Sequence, residues 1–261
     1  MRIALCQLKI IFENWDINAK RAEGFIETAA KENADMILFP EMCLTGFSMN
    51  IRKTAEQMSC GRTLRFFQEL AAKRKIAIGF GWTVQNEKDH NKAENHYTIV
   101  QSDGLILSDY LKIHPFSMSG EDRLFVPGDK IVHYTINDMI CSNFICYDLR
   151  FPEIFQAASK KADCIFLPSN WSDSRIKQFK ALLSARAIEN QCYIVGINCF
   201  GEQLTERYYG GGGVYDPYGV CILDMKEEFY VIDLDRELTE RYRNNFPVKR
   251  DRREDLYKKL Y

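Results

Sequence analysis

The chain has 261 residues, 46% of them hydrophobic and 27% charged, and 35 Lys and Arg against 36 Asp and Glu leave a net charge of −1. Such figures exclude disorder, collagen and coiled coil, and the missing basic surplus argues against nucleic acid as a partner. At this length roughly three-quarters of the unfolded surface can be buried, so no disulfide or metal is needed to hold a core.

Residues 3–10 alternate as a strand, followed by a helix that Asp16 is expected to cap and that runs to about Asn33, with Ala22, Phe25, Ile26 and Ala29 on one face. The short apolar run 34–41 suits a buried strand feeding a loop. A helix from Thr63 to about Lys75 then precedes the strand KIAIGFGWTV. The stretch NHYTIVQSDGLILSDYLK reads as a hairpin about Asp103-Gly104, and residues 130–136 and 139–145 form a second one about Asn137-Asp138. Beyond Cys146 come a helix with Pro152 in its first turn, a strand over 162–170, and a helix over about 174–190 with a stripe of Ile176, Phe179, Leu183 and Ile188. The segments QCYIVGINCF, GGVYDP, GVCILDM and EFYVIDL are further strands, with Asp216-Pro217-Tyr218-Gly219 as a turn. Residues 235–244 look helical, and a basic tail closes the chain from about residue 246.

About ten or eleven strands and four or five helices, mixing hairpins with crossovers, predict one α/β domain over 1–261, with two mixed sheets packed together and helices outside. The nine cysteines are odd in number and without zinc spacing, which fits reduced thiols of a cytoplasmic protein. The opening MRIALCQLKIIF breaks its apolar stretch at Gln7 and Lys9 and reads as a strand, not a signal peptide. No apolar run reaches the roughly 20 residues of a membrane helix, so no membrane is expected as a partner.

Three reactive side chains stand just beyond apolar strands, where open α/β folds gather their sites: Glu41 after ILFP, Lys112 after LILSDYL and Cys146 after ICSNFI. Taken singly, each has a plainer reading as a solvated carboxylate, a surface ammonium or a buried thiol. Cys146 differs from the other cysteines because YDLRFPE follows it, a strand-to-helix elbow whose N–H groups and helix end favour thiolate. The Tyr147 N–H is a ready oxyanion donor there. A thiol attacking an amide needs a base, a proton for the leaving amine and a positive group facing the tetrahedral oxygen. Glu41 can fill the first two roles and Lys112 the third, with His114 and His133 as alternative bases.

Around these residues, FPEMCLTGF, YLKIHPF and ICYDLRFPE resemble, in order, the three catalytic segments of the nitrilase superfamily of carbon–nitrogen hydrolases. Their separations of 71 and 34 residues are typical of it, and ARAIENQCYIVGIN and VYDPYG resemble its later segments. The resemblance implies a four-layer α-β-β-α sandwich, a homodimer or higher homo-oligomer, and a Glu41–Lys112–Cys146 triad with no cofactor and no metal. It also implies that Glu121, in SMSGEDRLF, orients Lys112. PEMCLTGFSMN, SNWSDSR and FPVKRDRREDLY further resemble omega-amidases, which hydrolyse the terminal amide of 2-oxoglutaramate or 2-oxosuccinamate. Such anionic substrates call for a cation, for which Arg175 is the candidate, with Phe47, Phe116 and Trp171 as apolar walls. Arg150 and Glu153 are expected to pair structurally behind the elbow, and the tail from about residue 246 to lie at an oligomer interface.

Other readings are a nitrilase, N-carbamoylase or deaminated-glutathione amidase with the same triad. Outside the family stand a metal-dependent phosphoesterase with Glu41 and Asn170 as ligands, and a non-catalytic binding protein.

Overall fold

A computed structural model describes residues 1–260, and the alternation in the sequence becomes fourteen strands and eight helices among them. The first half holds β1 (Arg2–Cys6), α1 (Trp15–Lys31), β2 (Met36–Leu38), α2 (Ile51–Thr54), α3 (Arg62–Arg74), β3 (Ala77–Gln85), β4 (Ala93–Val100), β5 (Ile106–Leu111) and α4 (Glu121–Leu124). There follow β6 (Tyr134–Ile136), β7 (Met139–Asn143), α5 (Pro152–Ala158), β8 (Cys164–Pro168), α6 (Ile176–Asn190) and β9 (Tyr193–Ile197). The last part holds β10 (Phe200–Gln203), β11 (Glu206–Tyr209), β12 (Gly213–Tyr215), β13 (Cys221–Asp224), β14 (Phe229–Asp233), α7 (Arg236–Asn245) and α8 (Glu254–Leu260).

Two six-stranded sheets form, in the orders β14-β1-β2-β3-β4-β5 and β13-β12-β9-β8-β7-β6. In each, a parallel centre (β1-β2-β3 and β7-β8-β9) is flanked by antiparallel strands, so both sheets are mixed, as expected. The period of two in a strand decides which core each residue joins. Ile3 and Leu5 point between the sheets and share a core with Ile165 and Leu167, whereas Ala4 and Cys6 belong to the outer core that includes Ala22 and Ile26 of α1 and Phe67 of α3. On the second sheet Phe179 and Leu183 of α6 close the opposite face. The layers are therefore helix, sheet, sheet, helix.

Several local expectations are corrected. Asn14, not Asp16, caps α1, its side chain accepting from Ile17 N. Ile188 is 52% exposed, because five residues beyond Leu183 it lies about 140° round the helix; Arg186 takes the buried position and donates to the Leu149 carbonyl. Strands β10 and β11 form a separate two-stranded hairpin, absent from the sequence pattern and tied to the segment after β1 by a single bridge between Phe200 and Lys9. Apart from these corrections, the tail contacts the body of its own chain, Arg252 donating to Gln156 of α5 and Phe246 O accepting from Gln191. Six cysteines are buried, Cys146 is half-buried, and Cys60 and Cys221 are exposed. No helix among the described residues is long and apolar enough to cross a membrane.

Candidate active site

Glu41 follows β2 and is fully buried. Its backbone turns at once, Met42 adopting φ +44, and it packs so closely on β3 that a Cβ on Gly81 would stand 2.6 Å from the Glu41 Cα. Only glycine leaves room there. Lys112, directly after β5, is 1% exposed and donates to Glu41 Oε1 at 2.9 Å and to both oxygens of Glu121 at 3.1 and 2.9 Å. Glu121 also accepts from Phe116 N, and Asn95 Nδ2 bridges the two carboxylates at 2.8 and 2.9 Å. One ammonium thus sits between two carboxylates in a dry interior.

Cys146 opens a single 3₁₀ turn (Cys146–Arg150) and holds φ +46, a left-handed conformation that costs a non-glycine residue about 1–3 kcal/mol. Asp148 holds that turn in place. Its carboxylate accepts from Ile145 N, Tyr110 Oη, His114 N and His114 Nδ1, tying the elbow to the strand end that carries Lys112. The Cys146 thiol donates to the Asn170 carbonyl at 3.8 Å, and Asn170 in turn donates its backbone N–H to Glu41 Oε2 at 2.9 Å and its amide to the Glu41 carbonyl at 2.6 Å.

Cys146, Lys112 and Tyr147 line one cavity of about 260 Å³, with Glu41 immediately behind Lys112. Phe47, Phe116, Trp171 and Arg175 line the same cavity, so the nine residues marked in the sequence converge on one place. Phe47 lies under Lys112 Nζ at 5.4 Å, and Arg175 stands over Phe116 at 5.9 Å. The arrangement sets a thiol beside a carboxylate, an ammonium and a polar-rimmed pocket, which is the equipment of acyl transfer.

The comparisons agree. A family model described as carbon-nitrogen hydrolase matches residues 2–244. The chain belongs to the carbon–nitrogen hydrolase family. Among similar proteins, a Bacillus subtilis protein named 2-oxoglutaramate amidase is 30% identical over 98% of each chain. Omega-amidase YafV of Yersinia enterocolitica is 31% identical over 96% of each. Of solved structures, a carbon–nitrogen hydrolase superfamily protein of Xanthomonas campestris superposes with a TM-score of 0.88 at 25% identity over 97% of both chains. Saccharomyces cerevisiae Nit3, a member of branch 10 of the nitrilase superfamily, gives 0.87 at 27% identity over 97% of this chain and 96% of its own.

The electrostatics of this carbon–nitrogen hydrolase differ from the expected thiolate. Burial and then the Glu41 charge push the Cys146 thiol well above its ordinary value, and Lys112 opposes them only partly. The Lys112 charge is already shared by two carboxylates, which is why it offsets the burial of the sulfur only in part. Burial works against the ammonium of Lys112, but Glu121 and Glu41 outweigh it and hold the group above the usual lysine range. Burial also pushes Glu121 up, against the pull of Lys112.

Other side chains were misplaced or missed from sequence. Arg150 does not pair with Glu153; it donates to Gln178 Oε1 at 2.8 Å, lies over Trp171 at 5.0 Å, and lines the cavity. His114 is held by Asp148 and stacked on Phe151 at 3.7 Å, and His133 bonds the Ala158 carbonyl, so neither faces Cys146. Asn95, Asp148 and Gln203 were not assigned to this site, and Asn170 was named only as a ligand in the phosphoesterase reading, although Asn95 shares an inward strand face with Ala93, Tyr97 and Ile99, where a buried amide is itself a signal.

Proposed function

We propose that this protein is a thiol-dependent amidase that releases ammonia from the terminal amide of a small carboxylate such as 2-oxoglutaramate or 2-oxosuccinamate. The observation that carries the reading is a small cavity in which Cys146 and Lys112 share the walls with Arg150 and Arg175, neither of which has a carboxylate partner among the described residues. At about 260 Å³ it is smaller than the ~300–1,000 Å³ of pockets for drug-sized ligands. Unpaired guanidinium groups favour a substrate that brings its own carboxylate. The names of the Bacillus and Yersinia relatives support the same substrate class.

In this mechanism Glu41 accepts the thiol proton as Cys146 sulfur bonds the amide carbon. The tetrahedral oxygen is met by Lys112 and the Tyr147 N–H. Glu41 returns the proton to the departing nitrogen, the C–N bond breaks, and ammonia leaves a thioester. The same carboxylate then takes a proton from water, whose oxygen bonds the acyl carbon and displaces the sulfur; Glu41 passes that proton to the sulfur, restoring the thiol, and the product acid ionises to its carboxylate. Glu121 and Asn95 keep Lys112 charged and in place. Loss of one oxyanion donor costs about 3–4 kcal/mol of barrier, or two to three decades in rate.

The whole chain acts as one cytoplasmic catalytic unit in this reading. The exposed apolar side chains Ile188, Tyr218, Val220 and Phe246 are covered by a second copy, which sedimentation at micromolar concentration tests.

The deciding experiment is ammonia release from 2-oxoglutaramate, glutamine, asparagine, a carbamoyl amino acid and a simple nitrile, with Cys146→Ala as control. Turnover of the anionic amide above the rest, abolished in the control with the fold intact, is expected. A nitrile or carbamoyl compound turned over fastest refutes the substrate class, and undiminished turnover by Cys146→Ala refutes the nucleophile.

A further inference from the structure

Gln203 ends β10, outside the three segments that carry the triad, and yet it is 97% withdrawn from solvent and touches two walls of the cavity. Its Oε1 accepts from Phe47 N at 2.7 Å, and its Nε2 donates to Asn170 Oδ1 at 2.9 Å, with Cys199 Sγ at 3.7 Å. Among the described residues, Asn170 is the one that hydrogen-bonds both Glu41 and Cys146.

The donor and acceptor inventory shows what this contact does. Asn170 needs its Nδ2 toward the Glu41 carbonyl and therefore its Oδ1 toward the hairpin. A flipped amide would set oxygen against oxygen at Glu41 and nitrogen against nitrogen at Gln203. Cys199 also donates to Oδ1, at 3.1 Å, but a thiol is a weak donor. Gln203 is thus the strong donor that fixes the Asn170 side chain, and through it the backbone that carries an N–H to Glu41 Oε2 and a carbonyl to the Cys146 thiol.

We propose that Gln203 is a positioning residue for proton transfer between Cys146 and Glu41, acting through Asn170 and joining the β10–β11 hairpin to the Phe47 wall. The inference rests on the amidase reading for its kinetics but not for its chemistry, since it concerns how readily the thiol proton reaches Glu41. Displacement of a reacting group by about 1 Å costs roughly a hundredfold in rate, so losing this anchor slows the chemical step and leaves substrate affinity to the arginines.

Two variants separate the contacts. Gln203→Met keeps length and removes both hydrogen bonds; Gln203→Glu keeps the acceptor for Phe47 N and loses the donor to Asn170. Each is measured for kcat and KM on the best amide of the wild-type panel, and for the rate of Cys146 alkylation by iodoacetamide against pH, with the site located by mass spectrometry and folding followed by circular dichroism. In both, kcat falls roughly 10- to 100-fold with KM changed less than about threefold, and alkylation moves to higher pH because hydroxide must replace Glu41 as proton acceptor. Gln203→Glu regains rate over Gln203→Met as pH falls, since its protonated carboxyl is again a donor. Wild-type kcat and alkylation profiles in both variants overturn the proposal, as does a loss confined to KM or to melting temperature. If wild type hydrolyses no amide, the functional reading fails while the alkylation series still decides the role of Gln203.

Discussion

Replacing Lys112 by Met tests whether the buried ion cluster is built as described. The side chain is 1% exposed and makes three N–H···O contacts of 2.9–3.1 Å to Glu41 and Glu121, both fully buried. Methionine fills the space but leaves two carboxylates facing each other with only Asn95, Phe116 N and Asn170 N as donors. Breaking a buried pair by removing one partner costs about 3–5 kcal/mol, which at roughly 2–4 °C per kcal/mol for a chain of this size lowers Tm by about 10 °C. The deficit depends on pH in a defined direction. In the variant a carboxylate is raised above its unfolded value, so the penalty is present at neutral pH and shrinks as acid protonates it. Urea unfolding at pH 8 and pH 5 measures this, and Lys112→Met/Glu121→Gln recovers more than half of the loss without recovering turnover. A single variant as stable as wild type at pH 8, or a deficit that grows in acid, refutes the ion-cluster account.

Gly81→Ala forces a methyl against the Glu41 backbone at 2.6 Å; kcat falls at least tenfold, and a crystal structure shows Glu41 displaced, whereas unchanged kcat contradicts the close-packing argument. Arg150→Met and Arg175→Met raise KM for an anionic amide at least tenfold while sparing a neutral amide, which steady-state assays on the two substrates compare. His96 bonds Asp109 at 2.7 Å and Glu94 at 2.9 Å, and although burial opposes its charge these partners raise it from 6.5 to about 9. Its contribution of ~3 kcal/mol is complete below pH 6.5 and disappears as pH rises through 9, so the stability gap between wild type and His96→Gln narrows over that window. A gap that is constant from pH 6 to 10 shows that the imidazole is not charged in the native state.

What the sequence disclosed and what it hid follow from the range of the interactions. Glu41, Lys112 and Cys146 were legible because each is a reactive group directly after an apolar strand, a pattern contained in ten residues. Glu121 and Arg175 needed the family resemblance, since a loop carboxylate and a helix-start arginine carry no local mark. Arg150 was read as structural because its partner, Trp171, lies 21 residues on and reaches it only through the fold. The β10–β11 hairpin was invisible for a different reason: its turn places Leu204 at φ +53 without Asn-Gly or Asp-Gly, and its buried positions are held by the polar Gln203 and by Tyr208, so burial alternates along β11 without an alternation of apolar and polar residues to announce it. Ile188 was misassigned because a residue five positions along a helix is apolar for reasons other than the core it turns away from.

The hairpin has a bearing on how such an enzyme diversifies. Leu204 and Thr205 at its tip border the pocket but contribute to neither six-stranded ladder, and Leu204 is 80% exposed. Residues at this tip can therefore be exchanged, or a few inserted, at little expense to the scaffold, while every exchange reshapes what the pocket admits. Selection for a new acyl chain has its easiest foothold there, and the buried ion cluster beneath is left untouched.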